Sequence, residues 1–451
     1  MTRFGSRVRE LALCVAVAGL LSGCGGGDDA DGEETKRKSG SDSRSSAEDT
    51  APEGKQKESA PPGRPATQLE AAPVYDTGAG WERRWHGDPL VLPRTDAVAE
   101  FSGQDAPQGR FTVVDAATGK VRWISRSLSS VAPADDSEMD SAVLTTGGKD
   151  YLAAWSSGRT GEDVVRRGEQ VLTVDLFDAD ASGDSVPPAH HVEIKNPRRV
   201  WHGTGALMVE LKDEVVAIDP ATGKKTTYDP EELKPPRGCA DCSPGGSVEA
   251  ITTAGPVART YINDYDGFWV PGKWASADIA PSGAVPEGAR TQPVSDELLI
   301  AQWERKGNKE ETVWAVVNAA DGKVRASAQC GRYGWQAAKK TTPRLSANGR
   351  FVSYGTAVFD VEKGDGHCFP DTDKSKEVMF DQVTDKGEAF GYTKAAGQRL
   401  STERTPVLID ITSGKAKPLA EGTAVPEADL AGMGLFLVER EDRLVAYRHA
   451  D

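Results

Sequence analysis

Short apolar runs separated by polar turns recur from about residue 81 to the end of the chain. Five of these runs end at Asp or Asn, with glycine four positions later. Residues 111–114 lead into Asp115-Ala116-Ala117-Thr118-Gly119-Lys120, and 215–218 into Asp219-Pro220-Ala221-Thr222-Gly223-Lys224. Residues 313–317 lead into Asn318-Ala319-Ala320-Asp321-Gly322-Lys323. Residues 357–359 lead into Asp360-Val361-Glu362-Lys363-Gly364, and 407–409 into Asp410-Ile411-Thr412-Ser413-Gly414-Lys415. Each copy predicts a β-hairpin. The Val- and Ile-rich run is a strand buried between layers. The Asp or Asn side chain accepts from the turn amides, and Gly supplies the positive φ that closes the loop. Lys or Arg then opens a more exposed strand, where charge protects an outer edge. Similar runs at 151–155, 206–211, 298–303, 351–354, 389–392 and 435–438 supply partner strands. Helical periodicity is confined to brief turns near 230–233 and 381–387.

The region from 79 to 451 exceeds what one ordinary hydrophobic core fills, which is about 250–300 residues. Short strands in fours, with turn chemistry at a fixed place, predict an all-β fold, a β-propeller of four-stranded blades. About 370 residues divide into eight blades of roughly 46, or seven of about 53; eight is favoured and seven stays open. The blade within 248–288 lacks the motif and is inferred from spacing.

The run Asp115-x-x-Thr118-Gly119-Lys120-x-x-Trp123 resembles the repeat of the quinoprotein-like (PQQ-like) β-propellers. The other copies keep the spacing to glycine and lose the Trp. The resemblance implies that the lone strand at 81–85 completes the last blade and removes its open edge. Quinoprotein dehydrogenases of this type carry calcium ligands and an adjacent-Cys disulfide over the cofactor. This chain has no Cys-Cys pair and no strong calcium cluster, so no cofactor is expected.

The N-terminus sets the compartment. Arg3, Arg7 and Arg9 precede an apolar run at 11–21, the order of a secretory signal peptide. That run is too short for a membrane-spanning helix, which needs about 20 residues. Leu21-Ser22-Gly23-Cys24 resembles the lipobox of bacterial lipoproteins. The resemblance implies cleavage after residue 23 and lipidation of Cys24, with membrane lipid as its partner; paired acyl chains anchor stably. Residues 24–78 are expected to be a disordered linker, because their Gly, Ser, Asp, Glu, Lys, Ala and Pro offer little apolar surface.

Export makes disulfides the expected state for Cys239, Cys242, Cys330 and Cys368. Three connectivities exist, and Cys239–Cys242 with Cys330–Cys368 is preferred. The Cys239-x-x-Cys242 spacing also suits redox or zinc chemistry, but it sits in a Pro/Gly-rich loop with no second pair. No metal site is expected. His190-His191 is read as a surface loop, and 178–184 as an acidic connection resembling half a calcium loop. No nucleophile elbow, His-Glu-x-x-His helix or complete phosphate loop occurs, and no catalytic residues are assigned.

The ten Trp suit wedges between blades. Residues 264–274 stand apart: Tyr265, Phe268, Trp269 and Trp274 crowd among Gly and Pro, and form the candidate contact loop. A net charge of −15 argues against a nucleic-acid partner. The expected molecule is a monomeric, non-enzymatic lipoprotein on the outer face of the cell membrane. It would be a scaffold or sensor with a protein partner in the envelope. Carbohydrate or cell-wall binding through Trp269 and Trp274 is the alternative, followed by a quinoprotein-type dehydrogenase.

Overall fold

The computed structural model describes residues 63–103, 106–131, 139–236, 242, 246–262, 265–331, 341–394 and 404–450. All of them lie in one compact unit, Lys57–Asp451. The protein is an all-β propeller. Among the described residues, the short 3-10 turn Glu439–Glu441 is the only helical element.

Five four-stranded sheets stand alone. A five-stranded sheet is a sixth four-stranded meander with one strand, Gly183–Val186, added in parallel. An eight-stranded sheet is two further meanders joined only through Ser327 and Asp365. These eight antiparallel meanders are numbered in chain order: I (90–125), II (140–195), III (199–228), IV (247–275), V (290–331), VI (344–368), VII (378–418) and VIII (428–449). Sheet VIII takes its outermost strand, Tyr75–Arg84, from the start of the folded unit. The ring therefore closes on a strand from the start of the folded unit.

Packing follows from sheets that are covered on both faces. The inner strands Val215–Ile218, Phe351–Tyr354 and Ala357–Asp360 are buried at every position. The outer strands Lys225–Tyr228 and Lys415–Pro418 are mostly or wholly exposed. Apolar clusters tie each sheet to the next. Trp81 of sheet VIII meets Val98 and Val114 of sheet I. Trp123 of sheet I meets Leu152 and Phe177 of sheet II, and Met208 of sheet III meets Val248 of sheet IV. Clusters likewise join II to III, IV to V, V to VI and VI to VII. Phe390 of sheet VII completes the cycle against Tyr75 and Phe436 of sheet VIII.

The five repeat motifs are the turns between third and fourth strands. In each, the glycine amide donates to the carbonyl of the Asp or Asn, at 2.8–2.9 Å. The Asp or Asn side chain caps the turn as well, as Asp115 does by accepting from Thr118 N at 2.8 Å. Two of these turns, and the turn after Asp178 in sheet II, also dock neighbouring sheets. Trp81 Nε1 donates to Ala116 O at 2.8 Å, Trp123 Nε1 to Ala179 O at 2.9 Å and Trp274 Nε1 to Ala319 O at 3.0 Å. Gly119 has φ +70°, and a Cβ there would come within 2.6 Å of the Trp81 ring. Glycine at this spot thus serves both the turn and the aromatic ring laid across it.

The folded unit begins earlier than the sequence suggested. Residues 63–78, expected to be linker, pack onto sheet VIII. Gly63 and Gly80 exchange backbone hydrogen bonds, and Ala424 N donates to Glu70 O. Tyr447 Oη donates to Thr67 O at 2.8 Å, and Ala72 is fully buried. A segment this poor in apolar residues orders because its backbone is paired and sheet VIII supplies the core beneath it.

Candidate functional site

The candidate contact loop is corrected by burial. Phe268, Trp269 and Trp274 are at most 5% exposed. Trp269 Nε1 donates to Leu233 O at 3.0 Å, inside a cluster with Cys242, Ala258 and Ala275. Trp274 docks sheet IV onto sheet V as described above. Of Tyr265 only the backbone is described, in the strand Tyr265–Val270. The Gly and Pro punctuation belongs to a tight hairpin turn, in which Lys273 N donates to Val270 O and Gly272 has φ +71°.

Cys330 and Cys368 are bonded, with Cα atoms 5.4 Å apart. Cys242 is disulfide-bonded as well, and Cys239 lies outside the described residues. Cys24 also lies outside them. His190 and His191 open a strand, His190–Lys195, where a surface loop was expected. His190 Nε2 is 3.0 Å from Ala221 O in sheet III, and His191 Nδ1 is 2.7 Å from Asp175. Asp178 caps the turn after its strand, accepting from Asp180 N at 2.9 Å. Among the described residues no group of three or more His, Cys, Asp or Glu is arranged to hold a metal ion.

The first strands of sheets I and II, IV and V, VI and VII, and VII and VIII touch one another and so face the axis. At one end of that axis the turns after these strands meet across the ring. Gly147 N of sheet II donates to Asp296 Oδ2 of sheet V at 3.1 Å, and Arg94 Nη1 of sheet I donates to Ala347 O of sheet VI at 3.4 Å. Burial raises the pKa of Asp296, against the hydrogen bond from Gly147 N. Asp150, fully buried close by, is also raised by desolvation, while it accepts from Arg94 N and Thr145 Oγ1 at 2.7 Å each.

The opposite end is lined by ionisable side chains that the sequence reading did not single out. Arg344, Asp381 and Glu427 lie in or next to the first strands of sheets VI, VII and VIII, with Asp88 just ahead of sheet I. Desolvation raises the pKa of Glu427; Arg344 opposes the shift, and Asp381, Asp88 and Glu439 add to it. Desolvation also raises Asp381, against Arg404 and Arg344. Tyr392 is raised by burial and by these two carboxylates. Glu427 is nevertheless exposed. Carboxylates perturbed in this way by burial and by one another tend to sit where ligands bind. Their signal in the sequence was charge beside short apolar first strands, which gains meaning only once the ring is assembled.

A concavity of about 560 Å³ lies between sheets III and IV. Trp201, Leu211, Val215 and Val248 give it apolar walls. Glu210, Asp213, Glu214, Asp229, Glu231 and Glu249 line it against only Arg199 and Lys212.

No protein family matches the chain, and no curated protein is similar to it in sequence. Similar solved structures include an uncharacterized Listeria monocytogenes protein, lmo1340, at 7% identity and a TM-score of 0.39. That match covers 85% of this chain and 97% of the other. Hsv2 of Kluyveromyces lactis matches at 10% identity and a TM-score of 0.35, covering 74% and 98%. The β-propeller domain of the Trilobed protease from Pyrococcus furiosus matches at 11% and 0.29, covering 81% and 95%. Likeness at this level carries no information on activity.

Proposed function

We propose that this chain is a lipoprotein held by lipid on Cys24 at the outer face of the cell membrane. In this reading its eight-bladed propeller is a non-enzymatic scaffold or ligand sensor for a partner in the envelope. The carrying observation is the charged group near the axis, where Arg344, Asp381 and Glu427 come from three consecutive sheets and act on one another. The repeat motifs are consumed in turns and sheet docking, whereas Arg344, Asp381 and Glu427 belong to none of them. The lipobox and the basic, short apolar leader support the anchor. Binding through Trp269 and Trp274 drops out, because neither ring reaches the surface.

Two measurements test the two halves separately. Cys24→Ala should release the protein from the membrane fraction or block its processing; full retention in detergent extracts would end the anchoring reading. In-cell crosslinking with mass spectrometry should identify a partner whose yield falls sharply for Asp381→Asn with Glu427→Gln. An unchanged crosslink pattern would remove the axial group from the function.

A further inference from the structure

The concavity between sheets III and IV has the size of a small-molecule site, about 560 Å³ against the roughly 300–1,000 Å³ usual for one. Its lining comes from one end of both sheets. The innermost strands, Arg199–His202 of sheet III and Ser247–Thr252 of sheet IV, bring Arg199, Trp201 and Glu249. The turn between Leu207–Glu210 and Val215–Ile218 brings Glu210 and Glu214. Asp229 and Glu231 follow the outermost strand, Lys225–Tyr228. Carboxylates therefore recur from the first strand position to the fourth, a distance of three strand spacings or about 14 Å. The wall they share is apolar, and its Trp201 and Leu211 are only half-buried.

Three of the recess carboxylates are occupied within the fold. Glu249 lies 3.7 Å from Arg259 Nη1, Asp213 lies 3.8 Å from Lys212 Nζ, and Asp229 Oδ1 accepts from Glu231 N at 2.8 Å. Among the described residues, the carboxylates of Glu210, Glu214 and Glu231 make no ion pair and no hydrogen bond. The aromatic wall supplies a second and separate indication of what the recess takes. The Arg199 guanidinium sits 5.4 Å from the centre of the Trp201 ring. One cation of the chain itself is thus already seated on the face of this Trp, the interaction by which aromatic walls recognise ammonium ligands.

We infer that the recess binds a linear aliphatic polyamine, a triamine or tetraamine of the spermidine class. Its ammonium groups meet the row of carboxylates, and the methylenes between them lie against Leu211, Val215 and Val248. A fully extended chain of this class matches the span from the innermost to the outermost strand, whereas a short diamine covers only part of the row. A bare metal ion would leave the apolar wall unused, and among the described residues no carboxylate group is arranged to hold one. This site is separate from the axial group and does not depend on the lipid anchor.

Isothermal titration of spermidine into the full-length protein at low salt should show one saturable site per chain, weakened as salt is added. Magnesium chloride should compete no better than sodium chloride at the same ionic strength, and putrescine should bind more weakly than spermidine. Glu210→Gln with Glu214→Gln should weaken spermidine binding about tenfold or more, with the thermal midpoint kept at the parental value. Asp371→Asn with Asp373→Asn, exposed carboxylates outside the recess, should leave binding unchanged. Absence of a saturable site would overturn the inference, as would preferential displacement by magnesium or an equal loss in both variant pairs. Uptake of a lysine-rich peptide without uptake of spermidine would overturn it too, and would give the recess to a protein partner instead.

Discussion

At the scale of single residues, position within the ring decides what an aromatic side chain does. Trp274 shows this most fully. Its indole N–H is satisfied by Ala319 O, its ring lies edge-on to Phe268 at 5.9 Å, and Gly322 sits beneath it. An added Cβ at Gly322 would approach Ile279 to 2.5 Å and the Trp274 ring to 3.1 Å, so the glycine and the indole share one contact. Trp274→Ala therefore removes a buried aromatic, leaves Ala319 O without its donor and opens a cavity between sheets IV and V. The expected cost is about 3–5 kcal/mol, read as a lower midpoint in urea unfolding with an unchanged slope. A loss below about 1 kcal/mol would place the ring outside the core.

At the scale of elements, the readable part of the sequence was the part with local causes. The five turns were visible because Asp or Asn, Gly and Lys serve one another within a few residues, and the structure returns that geometry at Asp115, Asp219, Asn318, Asp360 and Asp410. Sheet IV was legible only as a gap: its second hairpin closes through Gly272 and Lys273 without the motif, so its aromatics were read as a loop. The strand Tyr75–Arg84 and residues 63–78 were read too sparingly because their partners lie more than three hundred residues away. The axial group was not legible at all, since Asp88, Arg344, Asp381 and Glu427 are neighbours only after the ring forms. One covalent tie between elements, the preferred Cys330–Cys368 pair, spans sheets V and VI. Cys330 is next to last in the strand Val324–Gly331 and Cys368 ends Asp365–Cys368, and these two strands pair in parallel. The bond closes a loop with a sequence separation of 38. Cys330→Ala with Cys368→Ala should cost up to about 4 kcal/mol in the chain-entropy account, measured by urea unfolding beside the oxidised parent. Equal stability would mean that packing alone holds this seam.

At the scale of the whole molecule, stability is that of a closed ring. Each sheet is covered on both faces by its neighbours, so no single sheet owns a core; the apolar clusters are shared all the way around. Such a ring has one place where chain ends meet. At sheet VIII the strand Tyr75–Arg84 pairs with Arg443–His449 from the other end of the chain. The seam is fastened by more than its ladder. Tyr75 Oη donates to Asp429 Oδ2 at 2.9 Å, His449 Nε2 lies 2.6 Å from the same oxygen, and Arg443 reaches Glu82 at 2.8 Å. Tyr75 also packs against Phe390 of sheet VII, so the strand that ends one sheet completes the interface with the sheet before it. Removing residues 1–84 would take away this strand, bare the edge at 443–449 and uncover Phe436 and Tyr447. An exposed, flat, apolar edge is a template for pairing with other chains. The truncated protein should lose its single cooperative unfolding transition and associate into large species in light scattering, and a peptide spanning 63–84 added in trans should reverse both changes. A truncated chain that stays monomeric and melts in one transition at the parental temperature would show that the remaining sheets hold the ring without its clasp.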